Sequence, residues 1–197
     1  MYSKVSLIGI LLLVVLVAGA AAVDNMVDNP DFEVDTAGYT FGADYGTFTV
    51  DPSVAGIVGN AAKAEVTSVG ANAWEPEIHS PPFDLVNGVT YTLAFWAKTE
   101  PGMTRTLGPR FEQLDTWVGI GEDIEVTDQW VDYHFTGVWE HPSSPPQVVI
   151  HVAFNTELED VWFSHFRAYE GEYVPEELAS VTPMDSSATA WGKIKSR

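Results

Sequence analysis

Two clusters of acidic side chains have spacing that chemistry could use: Glu75 with Glu77, and Glu122, Asp123 and Glu125. A glycosidase works with two carboxylates on opposite sides of the scissile bond, about 5 to 9.5 Å apart, in a cleft that raises one pKa. Nothing in the pattern singles out either cluster, because 28 acidic residues in a chain of 197 bring acids close together by chance. Nucleophile chemistry has less support. The chain contains no cysteine, no Gly-x-Ser-x-Gly and no closely spaced histidine pair of the kind that holds zinc.

Aromatic residues offer a different chemistry. Seven tryptophans, seven tyrosines and ten phenylalanines accompany 9 basic residues and a formal net charge of −19. Such a charge disfavours nucleic acid, anionic lipid and acidic polysaccharide, which need a basic surface. Neutral partners remain. The axial C–H face of a sugar ring is apolar and packs on an indole, while directional donors and acceptors select among sugars. Many of these aromatics must nonetheless belong to a core.

The elements that would position them read as strands. Short alternating runs separated by Gly, Pro, Asn and Asp predict strands near 38–50, 61–69, 72–78, 82–86, 89–98, 105–118, 130–138, 147–154 and 161–169. Tyr91, Leu93, Phe95 and Ala97 share one face of their strand, with Thr92, Ala94, Trp96 and Lys98 on the other. Val148, Ile150, Val152 and Phe154 alternate with Gln147, Val149, His151 and Asn155, which sets a polar row on one side of the sheet. Asn87-Gly88, Pro101-Gly102, Gly119 to Gly121 and His141 to Pro146 mark loops. No helical periodicity follows the first 22 residues.

Residues 1–22 read as a secretory signal: Lys4 is the charged start, Val5 to Val17 is apolar, and Ala18 to Ala22 offers Ala-x-Ala cleavage sites. The apolar run is shorter than the ~20 residues that span a bilayer, so no membrane span is expected after cleavage. Without cysteine there is no disulfide framework, and the fold must stand on its core or on a metal. Residues 174–197 shift to Pro, Glu, Ser, Ala and Thr before a small basic end, the composition of a flexible tail or an attachment segment.

Four segments in order carry a family resemblance: Asn25 to Glu33, Val89 to Thr99, Asp128 to Gly137 and Val161 to Gly171. Over residues 24–173 the chain resembles carbohydrate-binding modules of families four, nine and twenty-two. The resemblance implies an all-β, antiparallel β-sandwich of the jelly-roll, galactose-binding-like type, holding a neutral xylan- or β-glucan-type chain on a concave sheet. By the same resemblance, Trp74 and Trp117 are the stacking platforms, with Phe111 as competitor to Trp117. Glu77, Gln113 and His151 are the hydrogen-bonding residues, whereas Trp96 and Trp130 match framework positions.

The resemblance also implies a structural Ca²⁺ near the amino-terminal strand, with Glu33 as one carboxylate ligand. The family's second acid, in a pattern like Trp-Ile-Asp-Asp-Val, falls on Ser164. Serine is a weak calcium ligand, so the site is weakened, lost, or completed by a group such as Asp51 or Asp160. The sequence thus reads as a secreted, non-catalytic sugar binder. Two other readings stay open: a structural or adhesive module of the same fold without a sugar site, and a small glycoside hydrolase.

Overall fold

The computed structural model describes residues 24–141 and 147–176; the expected signal, the segment 142–146 and most of the expected tail lie outside the described residues. Among the described residues all regular structure is strand, and no helix is long and apolar enough to cross a membrane. Residues Val23–Tyr173 cluster as one unit.

Twelve strands form two antiparallel sheets. They are β1 (Thr40–Phe41), β2 (Gly46–Ala55), β3 (Asn60–Val66), β4 (Glu77–His79), β5 (Phe83–Asp84), β6 (Thr90–Thr99), β7 (Arg105–Gln113), β8 (Gly119–Gly121), β9 (Ile124–Val126), β10 (Val131–Val138), β11 (Gln147–Ala153) and β12 (Val161–Glu170). One sheet runs β1-β4-β11-β7-β8, with β5 added beside β11 and β9 beside β7; the other runs β10-β6-β12-β3-β2. The predicted β-sandwich is the observed fold. Its misplacements are local: residues 72–76 form a loop ahead of a three-residue strand, and the expected strand 105–118 stops at Gln113.

Alternation decides what the sandwich buries. Leu93, Phe95 and Ala97 of β6, and Val148, Ile150 and Val152 of β11, all turn inward and are essentially inaccessible. Between the sheets a cluster of rings closes the core, with Phe95 and Phe166 5.1 Å apart and Phe154 and Phe163 6.1 Å apart. Edge-to-face and offset packing of this kind stabilises beyond the area buried, by about 0.5–1.5 kcal/mol per pair. Phe163 and Phe166 can both face inward only because the register of β12 shifts between Ser164 and Arg167, with His165 in the left-handed region at φ 53°.

The outer face of the second sheet carries Trp96, Trp130 and Trp162, all half-buried. The ammonium of Lys98 lies 5.5 Å from the Trp130 ring centre and 5.2 Å from that of Trp162, whose indole N–H donates to Asp51 at 2.8 Å. Trp96 and Trp130 therefore pack on the outside of the sheet rather than in the core. Among the described residues the fully buried tryptophan is Trp139.

Candidate functional site

β7 has its odd positions in the core and its even positions on the opposite face. Leu107 and Phe111 are inward and inaccessible, while Arg110 and Glu112 face out of the sandwich beside β11. Pairing places Arg110 opposite His151, Gly108 opposite Ala153, and on the other side of β11 His79 opposite His151 and Glu77 opposite Ala153. A cleft of about 570 Å³ lies over this row, lined by Ala73, Trp74, Glu77, Arg110, Glu112, Trp117, His151, Ala153 and Asn155.

Two exposed tryptophans rise on this cleft. Trp74 is 51% exposed and stands in the loop before β4, where the Glu75 carboxylate accepts from the backbone N–H groups of Ala71 and Asn72 at 3.0 and 3.2 Å. Glu75 thus holds the loop, and Glu77 faces the cleft. Trp117 is 62% exposed. It follows a turn in which its N–H donates to the Gln113 carbonyl at 2.9 Å, and it sits in the left-handed region at φ 57°. That turn breaks the alternation that would have put Phe111 and Trp117 on one side. Phe111 is core, and Trp117 lies over His79 with the ring planes 28° apart.

Gln113 does not join them. It pairs with Val148 on the inward side, is 2% exposed, and its side-chain oxygen accepts from Thr116 at 3.1 Å. Its expected place among the sugar-facing residues is corrected by one step of register: the side chains of β7 that reach the cleft are Arg110 and Glu112. Asn155, also at φ 54°, enters the cleft from the end of β11 and donates to the Thr106 carbonyl at 3.1 Å. Arg110, Glu112 and Asn155 were legible as polar positions of their strands, but not as a group.

At the floor, His151 is 3% exposed, with Nδ1 2.8 Å from Glu112 Oε2 and Nε2 3.2 Å from Glu77 Oε2. The second contact has the separation of an ion pair without hydrogen-bond direction, and His151 Nε2 has no hydrogen-bond partner. Burial works against charge on His151, but Glu112 and Glu77 outweigh it and raise its pKa. His79 goes the other way: burial dominates and lowers its pKa, with Glu77 opposing and His151 adding to the depression. Burial alone would raise Glu77, yet the two histidines together hold it below the usual carboxylate range. The two histidines are thus shifted in opposite directions around one shared carboxylate. No histidine pair is near in sequence, and the register of β4 on β11 brings this one together.

The expected calcium donors do not converge. Glu33 is exposed. Ser164 Oγ accepts from the N–H groups of Ile57 and Val58 at 3.1 and 3.2 Å and donates to the Val58 carbonyl at 2.7 Å, so its oxygen is committed to the β2–β3 turn. Asp51 is taken by Ser53 and Trp162, and Asp160 by Lys63 at 2.6 Å and the Val66 N–H. The residues present at this end do not fit a calcium cage.

The profile of a carbohydrate binding domain family, of the four-and-nine type, matches residues 24–158. This chain belongs to that family. The module is also similar in fold to several solved structures. One described as "CBM4 structure and function" is 19% identical at a TM-score of 0.60, covering 74% of this chain and 99% of that one. A xylan-binding domain of Paenibacillus barcinonensis Xyn10C is 16% identical at a TM-score of 0.55, covering 79% and 100%. The paired CBM22-1 and GH10 modules of Clostridium thermocellum Xyn10B, solved with xylohexaose, are 15% identical at 0.53, covering 74% of this chain and 28% of that one. Among curated proteins no significant match is found.

Proposed function

We propose that the module is a secreted, non-catalytic binder of a neutral xylan- or β-glucan-type chain. The observation that carries this reading is one cleft with two exposed indoles, Trp74 and Trp117, above a polar floor. An exposed indole offers an apolar face to the cleft, and a sugar ring supplies the matching face. Glu77, Arg110 and Asn155 provide acceptors and donors for hydroxyl groups, while His151 holds Glu77 from below. The small side chains of Ala73 and Ala153 leave room for a ring to lie flat. Xylohexaose in the related Clostridium thermocellum structure supports this ligand class.

The absence of catalysis rests on the acids. Glu75 is engaged with its own loop, Glu77 and Glu112 both contact His151, and Glu122, Asp123 and Glu125 are exposed around the short strands β8 and β9. Export rests on residues 1–22 and is checked by the amino terminus of the protein recovered outside the cytoplasm. Binding is tested by affinity electrophoresis in xylan and mixed-linkage β-glucan, followed by calorimetry with xylohexaose and cellohexaose. Retardation and saturable heat are expected. If no neutral glycan binds, the sugar site is refuted and the structural-module reading replaces it.

A further inference from the structure

We propose that the floor of the cleft binds one divalent transition-metal ion of the zinc class through Glu77, His79 and His151. The donor atoms of these three side chains all lie within 4.8 Å of one another. His151 Nε2 is 3.2 Å from one Glu77 oxygen and His79 Nε2 is 3.6 Å from the other. Ligands held at about 2.1 Å around a tetrahedral ion stand roughly 3.4 Å apart, and each histidine lies near that distance from one oxygen of the shared carboxylate. A ligand set of two imidazoles and a carboxylate suits zinc and leaves one position of four open.

Two further observations point to an ion. The Nε2 atoms of both histidines are buried and make no hydrogen bond, although buried polar atoms are ordinarily satisfied. An ion would take both lone pairs at once. In addition, Glu112 holds the other nitrogen of His151 at 2.8 Å from a residue only 6% exposed. A carboxylate on Nδ1 directs the Nε2 lone pair outward and strengthens it as a ligand, the carboxylate–histidine–metal arrangement. The backbone adds rigidity, because His79 and His151 are direct cross-strand partners and Glu77 lies two residue pairs further along the same two strands, on the same face.

The experiment uses tag-free protein, stripped with a chelator and titrated with Zn²⁺ alone by calorimetry, then with Co²⁺ as a visible reporter. One equivalent of zinc is the expected result, with Co²⁺ loaded into stripped protein giving the absorption bands of a four-coordinate nitrogen and oxygen site that zinc then bleaches. His79→Ala and His151→Ala should each weaken zinc by at least about tenfold, and Glu112→Gln, which leaves every ligand in place, by about 10- to 100-fold. His134→Ala should change nothing, since that ring stacks on Tyr173 away from the cleft. Proton NMR of the histidine rings in the wild type identifies the ligated imidazoles whether or not the variants fold. Less than one equivalent of zinc, ligation by other histidines, or affinity unchanged in folded His79→Ala and His151→Ala would overturn the site. No sugar is present in the titration, so its outcome stands apart from that of the glycan experiments.

Discussion

His79 and His151 stand directly opposite each other in the pairing of β4 with β11, ring centres 5.1 Å apart and edge to face. Trp117 lies over the first ring, and Glu112 grips the second. The aromatic wall of the cleft and its titratable floor are therefore one mechanical unit.

The two tryptophans should behave as binding residues. Trp74→Ala and Trp117→Ala are each expected to cost about 2 kcal/mol of affinity for xylohexaose or cellohexaose, a loss of roughly 30-fold. Both side chains are more than half exposed, so stability should move by no more than about 0.5 kcal/mol. Calorimetric affinity and thermal melting on the same samples separate the two effects. Unfolded variants would mean that the rings are structural.

Gln113 and Arg110 provide a contrast of face. Gln113→Ala should destabilise by about 1–3 kcal/mol, because it empties a buried position that the Gln113 side chain fills, and should leave glycan affinity intact in the folded fraction. Arg110→Ala should do the reverse. Urea unfolding set beside affinity electrophoresis reads the pair.

The Ser164 hydroxyl ties β12 to the β2–β3 turn through three hydrogen bonds. Ser164→Ala leaves two N–H groups and a carbonyl without their partner and is expected to cost about 1–3 kcal/mol in denaturant unfolding. Adding Ca²⁺ should not raise the melting temperature by mass action, and Glu33→Ala should be nearly neutral. A calcium-dependent rise that Glu33→Ala abolishes would restore the family's site.

Arg105 anchors the loop that presents Asn155. It is 1% exposed and donates to the carbonyls of Phe154 at 2.7 Å and Glu157 at 2.6 Å, and also to that of Glu159. Arg105→Ala strands three acceptors and opens a cavity, so a loss of about 3 kcal/mol or more is expected by urea unfolding.

Tyr173 gives a pH signature. Its hydroxyl donates to Asp132 at 2.8 Å, and partial burial together with that bond pushes its pKa up to about 12 from 10.0. The unfolded chain then releases this proton first, so the contribution is complete below pH 10 and is lost as pH rises toward 12. Tyr173→Phe should flatten that part of the stability profile relative to wild type. Identical slopes for the two proteins in this window would show that the hydroxyl does not carry the effect.

Strand alternation and turn residues alone determined that this chain is an antiparallel β-sandwich, because the two-residue period of a strand is written directly into which side chains are apolar. The inward faces of β6 and β11 and the candidacy of Trp74, Trp117, Glu77 and His151 were legible on that basis, together with the family resemblance. Tertiary structure decided whatever depends on where a strand ends or which strand lies beside it. The turn after Gln113 sent Trp117 to the cleft and kept Phe111 in the core; the register of β7 exchanged Gln113 for Arg110 and Glu112. The packing of β12 beside the β2–β3 turn committed the Ser164 hydroxyl to the backbone of Ile57 and Val58. The pairing of β4 with β11 joined His79 to His151 across a long stretch of sequence. Register is a property of two strands at once, and a one-residue step reverses every face, so no local pattern in either strand contains it.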